Sequence, residues 1–163
     1  MEFTMQIAAL YLALLLTGLS AGLFFAWQVS VIPGTKLLRN STYIETMQKI
    51  NRAIINPLFM LVFLGPLLLQ FLSVILYWYT PVPFWFIVGA TVTYAAGTVI
   101  ITGLGNVPLN DALDTLKLNE LNEEELSGRR REYESPWNRL HLLRTLFAVL
   151  SFMLLLCAAF ILS

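Results

Sequence analysis

The chain reads as all-α: an integral membrane four-helix bundle of up-down connectivity. A short amphipathic interfacial helix is expected between helices 1 and 2, and a helical cytoplasmic loop between helices 3 and 4. Three observations predict this. Of the 163 residues 58% are hydrophobic, with a mean hydropathy of +0.73, too apolar for a soluble domain carrying an anchor. Three stretches, Phe3–Thr35, Ala53–Asn110 and Thr145–Ser163, contain no charged residue. All ten basic residues fall in or beside two connections: Lys36, Arg39, Lys49 and Arg52, then Lys117, Arg129, Arg130, Arg131, Arg139 and Arg144.

Crossing a hydrocarbon core of ~30 Å takes about 20 apolar residues as a helix. The middle stretch is too long for one span, and Thr80-Pro81-Val82-Pro83 divides it. The predicted spans are Met5–Val31, Pro57–Trp78, Phe84–Val107 and Pro136–Leu162, one transmembrane domain over residues 1–163. The first lacks a basic lead-in and is longer than the apolar run of a signal peptide, so it is read as a retained span. By the positive-inside rule both basic connections are cytoplasmic and both termini face outward, in the plasma (inner) membrane.

In the first connection, Thr42-Tyr43-Ile44-Glu45 fits a capping box, and Tyr43, Met47, Ile50 and Ile54 recur at helical spacing behind it. That pattern predicts a helix lying in the interface. Asn56-Pro57 then offers an N-cap followed by a proline where no N–H is needed, the alternative being a continuous helix bent at the proline. The third connection, Pro108–Ser135, carries a weak Leu113, Leu116, Leu121 stripe. It suits either a helix folded back under the bundle or a loop around Ser127-Gly128, with Ser135-Pro136 starting the fourth span. Gly18 and Gly22 on helix 1, and Gly89, Thr93 and Gly97 on helix 3, form small-residue faces for packing within the bundle or against a second copy.

Charge patterning excludes a nucleic-acid partner: the net charge is zero, and Arg129-Arg130-Arg131 follows Glu123-Glu124-Glu125 in a self-neutralising segment. The arginines also suit anionic lipid headgroups. Cys157 is the only cysteine, so no disulfide forms within the chain.

The polar residues of the spans collect at one depth: Gln28, Asn51, Asn56, Asn106, Asn110, Trp137, His141 and Arg144. On helix 4 the spacing puts Trp137, His141 and Arg144 on one face, continued by Ala148 and Ser151, opposite Leu140, Leu143, Phe147 and Leu150. An ionisable residue inside a span is a functional candidate by default. One histidine and one cysteine make a poor metal set; Asp111 and Asp114 beside His141 form only a weak facial triad. No metal site and no cofactor is predicted, although a haem held by one His, or shared between two copies, stays open. The spans hold no carboxylate for proton-coupled transport. What remains is a base, a permanent cation, amide donors and many aromatics. That set can deprotonate a carbon acid and hold the oxyanion, with His141 and Arg144 as the catalytic pair.

Four motifs carry a resemblance. They are Gly22-Leu23-Phe24-Phe25-Ala26-Trp27 with Ile32-Pro33-Gly34; Met47-Gln48-Lys49-Ile50-Asn51 with Asn56-Pro57-Leu58-Phe59; Asn106-Val107-Pro108-Leu109-Asn110; and Trp137-Asn138-Arg139-Leu140-His141-Leu142-Leu143-Arg144. In this order they resemble the DUF1772, anthrone oxygenase-like family of four-span membrane proteins. The resemblance implies oxidation of anthrones by molecular oxygen without an added cofactor, at a site lined by Asn51, Asn56, Asn106, Asn110, Trp137, His141 and Arg144. Phe24, Phe25 or Trp27 would pack a flat hydrophobic ligand with Trp137, and Gln28 stands at the same depth. The small-residue faces and the acidic–basic loop also suit a non-catalytic binding or accessory subunit that holds partners, its His141 and Arg144 satisfied by protein groups. Small-molecule transport has the least support, because the outer halves of the spans are apolar.

Overall fold

The computed structural model describes residues 5–163. Its elements are helices, and no strand occurs among the described residues. Four helices are long and apolar enough to cross a membrane: α1 Met5–Lys36, α3 Pro57–Leu76, α4 Pro81–Asp114 and α5 Glu123–Leu162. Between α1 and α3 lies α2, Asn40–Ala53. Going round the bundle, α1 neighbours α3 and α5, and α4 neighbours the same two. The pairs α1–α4 and α3–α5 therefore face each other across the diagonals.

Polar side chains bridge those diagonals. Tyr94 Oη on α4 donates to the Phe63 carbonyl on α3 at 2.9 Å and takes its other hydrogen bond from Ser20 Oγ on α1 at 2.8 Å. Gln70 Nε2 on α3 reaches Thr17 Oγ1 at 2.9 Å and Ser151 Oγ at 3.3 Å, while Ser151 donates to the Ala90 carbonyl at 2.9 Å. All four spans meet in this buried layer. Lipid offers no competing partner, so each such bond holds helices that have no hydrophobic drive to associate.

Several boundaries differ from the sequence expectation. The fourth helix does not begin at Ser135-Pro136. It starts at Asn122, whose side chain caps Glu124 and Glu125 N–H at 3.0 Å while Glu125 returns the bond to the Asn122 N–H at 2.8 Å. Pro136 then sits inside the helix, where it costs one backbone bond; burial of Leu126 and Tyr133 on the added turns offsets that. Ser127-Gly128 is helical rather than a loop, and the third connection shrinks to a short turn around Leu118–Glu120. Nor do Thr42 and Glu45 form a capping box. Helix α2 begins at Asn40 after an extended Arg39, which leaves Thr42 within the helix, and Glu45 instead pairs with Lys49 at 2.6 Å. Asn56 does cap α3, accepting from Phe59 N–H at 2.9 Å. The apolar face of α2 is covered by protein: Tyr43, Ile44 and Met47 pack against Leu113, Leu126, Tyr133 and Trp137.

Arg130 pins this charged end together. Its guanidinium pairs with Glu134 at 2.7 Å, donates to the Leu38 and Lys36 carbonyls at 2.7 and 2.9 Å, and lies 4.3 Å from the Tyr43 ring centroid. The last turn of α1, the start of α2 and the extension of α5 are thereby joined at one residue. Burial, and next the nearby Glu134, raises the Tyr43 phenol above its ordinary value, so the ring under Arg130 stays neutral.

The small-residue faces resolve position by position. A Cβ on Gly97 would collide with the Phe147 ring, whereas one on Gly22 would meet nothing within 4 Å. Gly97→Ala is therefore expected to lower unfolding stability by about 1–3 kcal/mol, the usual cost of overpacking. Gly22→Ala should leave it unchanged or slightly higher. Equilibrium unfolding in mixed micelles, followed by circular dichroism, checks the pair.

Candidate functional site

One face of α5 turns into the bundle. Tyr133, Trp137, His141 and Arg144 follow at intervals of four, four and three residues, and all are buried. Side chains at these spacings lie over one another, and here they form a ladder. Tyr133 stacks on Trp137 with centroids 6.1 Å apart, and Trp137 on His141 at 5.1 Å with the planes nearly parallel.

The His141–Arg144 pair has a definite protonation pattern. Arg144 Nε and Nη2 donate to His141 Nδ1 at 3.1 and 2.8 Å. A guanidinium has no acceptor, so Nδ1 carries the lone pair and the imidazole is the neutral Nε2–H tautomer. Nε2 donates to the Phe24 carbonyl on α1 at 3.1 Å. Arg144 Nη1 also reaches Thr102 Oγ1 at 3.3 Å, and the guanidinium stands 4.7 Å from the Phe24 ring and 5.2 Å from the Trp137 ring. Among the described residues no carboxylate pairs with Arg144. It is a desolvated cation held by neutral groups and ring faces, with N–H groups to spare.

Arg144 borders a cavity of about 350 Å³, within the range of about 300–1,000 Å³ of small-molecule sites. Its walls are mainly apolar: Phe24 and Trp27 from α1, Ile50 and Ile54 from the first connection, Phe59 and Phe63 from α3. Leu23, Ile55, Met60 and Val107 line it while being exposed on the bundle surface, so the mouth opens sideways between helices.

Of the residues singled out in the sequence, His141, Arg144, Trp137, Trp27, Asn51 and Asn110 line the cavity. Four do not. Phe25 points away from the bundle at 56% exposure, and its neighbour Phe24 takes the inward direction. Asn106 is buried behind Trp137 and donates to its carbonyl at 3.2 Å. Asn56 is used in capping and borders a separate groove with Gly18 and Gly22. Gln28 lies at the same level, half-buried, outside the lining. Asp111 and Asp114 stand on the cavity wall, Asp114 paired with Arg52 at 2.7 Å. No cluster of three His, Cys, Asp or Glu able to hold a metal occurs among the described residues.

Two functional candidates escape a reading of the sequence. Tyr133 belongs to the same stripe one turn earlier, but a span beginning at Pro136 cuts it off. Thr102 reaches the cavity through backbone geometry: α4 contains π segments at Ala95–Ile100 and Thr102–Asn106, and α1 contains one at Trp27–Val31. Such widened turns are rare and gather at functional sites. Each shifts the helix register, and no residue pattern announces it.

A four-helix membrane protein with a buried His–Arg pair on an aromatic-walled cavity is the class that this fold and site define. The family model of the anthrone oxygenases matches residues 54–154, and the chain belongs to that family. The matched region runs from the cavity mouth through α3 and α4 and takes in Tyr133, Trp137, His141 and Arg144. No curated protein and no solved structure matches the chain. In general terms it is a membrane oxygenase-like protein.

A desolvated charge kept for function leaves a signature in stability. Arg144→Met removes a buried cation and keeps an unbranched apolar stem, so thermal stability in detergent is expected to hold or rise. A fall of about 3 kcal/mol or more, the loss seen when one partner of a buried ion pair is removed, would mark Arg144 as structural.

Proposed function

We propose that the protein oxidises a hydrophobic aromatic carbon acid of the anthrone type with molecular oxygen, at the His141–Arg144 cavity and without a cofactor. The observation that carries this reading is Arg144 itself: a buried cation with no carboxylate partner among the described residues, bordering an aromatic-walled cavity, is a receptor for an anion that forms only on the ligand.

The ligand comes in from the lipid through the lateral mouth and lies between the Trp and Phe rings. Its carbonyl oxygen takes N–H groups of Arg144. As the guanidinium turns to that oxygen, His141 Nδ1 loses its donors and its lone pair is released to accept the acidic C–H proton. The enolate that results is electron-rich enough to pass one electron to oxygen. The radical pair joins as a C–O bond, and His141 returns the proton to the peroxide. Loss of the second C–H proton with hydroxide leaves a carbonyl, so CH₂ and O₂ become C=O and water. Asn51 and Asn110 hold the ligand; from outside the cavity Asn56 caps the start of α3 and Asn106 holds the Trp137 carbonyl.

The basic connections are cytoplasmic and both termini lie outside. With Cys157→Ser as background, an impermeant maleimide should label Ser163→Cys in intact cells and Ser127→Cys only after permeabilisation.

A second reading, a non-catalytic binding or accessory subunit, is favoured by the fact that every His141 nitrogen already has a protein partner. Oxygen uptake by purified protein supplied with an anthrone separates the two. Uptake above a protein-free control is expected, falling about 10²–10⁴-fold in His141→Ala as for loss of a general base, and to background in Arg144→Met. No excess uptake by the wild type supports the accessory reading.

A further inference from the structure

The cavity has a second polar feature that the oxidation does not use. Asn110 Oδ1 accepts from Trp137 Nε1 at 2.8 Å and from Tyr133 Oη at 3.0 Å. An indole N–H can only donate, so the Asn110 oxygen is held toward Trp137 and its amide nitrogen is turned away. Tyr133 spends its one proton on Asn110 and therefore accepts from Asn51 Nδ2, at 3.2 Å. That bond holds the Asn51 nitrogen toward Tyr133 and turns its oxygen away.

Asn110 Nδ2 and Asn51 Oδ1 have no protein partner among the described residues, and both residues line the cavity. Neither atom is sealed in protein, in contrast with the orphaned oxygens of Gln28, Gln70 and Asn106. A donor and an acceptor, on two cavity-lining residues bonded to the same buried tyrosine oxygen, are thus left open to a ligand. Only a group that accepts and donates at once satisfies both, and a neutral hydroxyl does so with a single atom. A second anion would meet the unpaired Asn51 oxygen, and an alkyl group would strand both amides at a desolvation cost.

We infer that Tyr133 is a positioning residue that fixes Asn51 and Asn110 as a hydroxyl-reading pair, and that the preferred ligand carries a neutral hydroxyl at this wall in addition to the oxygen held by Arg144. The inference rests on the proposed function for the identity of the cavity as the ligand site. It adds to that reading a specificity element that takes no part in the oxygen chemistry.

The test compares two oxygen-stable probes, an anthraquinone carrying a hydroxymethyl group and its ethyl isostere, with binding read by quenching of Trp27 and Trp137 in detergent. Wild type is expected to prefer the alcohol by about tenfold or more, as sites built for a hydroxyl reject an analogue that lacks it. Tyr133→Phe should bring that ratio close to one while leaving affinity for the ethyl probe unchanged; a merely structural role would weaken both probes alike. Asn110→Asp, nearly isosteric but without the amide donor, should lose the preference too, and serves if Tyr133→Phe does not fold. Equal binding of the two probes by wild type, or a preference that survives in both variants, overturns the inference and leaves the proposed function standing. Failure of wild type to bind either probe overturns both.

Discussion

A guanidinium held out of water, with no carboxylate beside it among the described residues, makes demands on everything around it. Arg144 meets them with a histidine lone pair, a threonine hydroxyl and two ring faces. None of these neutralises it. Removing an ion from water costs several kcal/mol even after relaxation, and neutral dipoles and aromatic faces return only part of that. The ladder on α5, the π segment of α1 after Phe24 and the one in α4 that begins at Thr102 all serve to surround this charge.

The cost of that arrangement is borne elsewhere in the bundle. Above the cavity, the layer formed by Thr17, Ser20, Gln70, Tyr94 and Ser151 joins all four spans and resists separation at mid-depth. Below it, Arg130 ties α1, α2 and α5 together, and the cluster around Tyr43 and Trp137 packs the charged end as a soluble core would be packed. The cavity lies between a braced layer and a pinned end. Helix positions can therefore be held firmly while the space between α1, α3 and α4 stays open toward lipid.

The inward stripe on α5 was legible because helical periodicity acts on every residue alike: Trp137, His141, Arg144, Ala148 and Ser151 are all buried, and Leu143 and Leu150 face out, whereas Leu140 and Phe147, expected on the outer side, lie against Gly105 and Gly97 of α4. The amide ring was legible only in part. Asn51 and Asn110 reach the cavity, but Asn56 and Asn106, equally polar and at equal depth, are consumed by a helix cap and by a backbone carbonyl. Depth along a helix follows from counting residues, whereas direction around it depends on the exact phase. Three π segments among the described residues change that phase. Phe24 and Phe25 illustrate the point, one residue apart and on opposite sides of the wall.

Sequence alone determined the number of spans, their alternation and the segregation of charge to one end, because these follow from hydrocarbon thickness and the cost of moving charge through it. It also determined which polar side chains would be available near that end. Tertiary structure decided which of them face a common space. It decided as well that Pro136 would be carried inside a long helix, because a cap and buried contacts many residues upstream outweigh one missing hydrogen bond. Above all, it set the tautomer of His141, the orientation of two asparagine amides and the isolation of Arg144. Those properties belong to contacts between helices, which no single segment of the chain specifies.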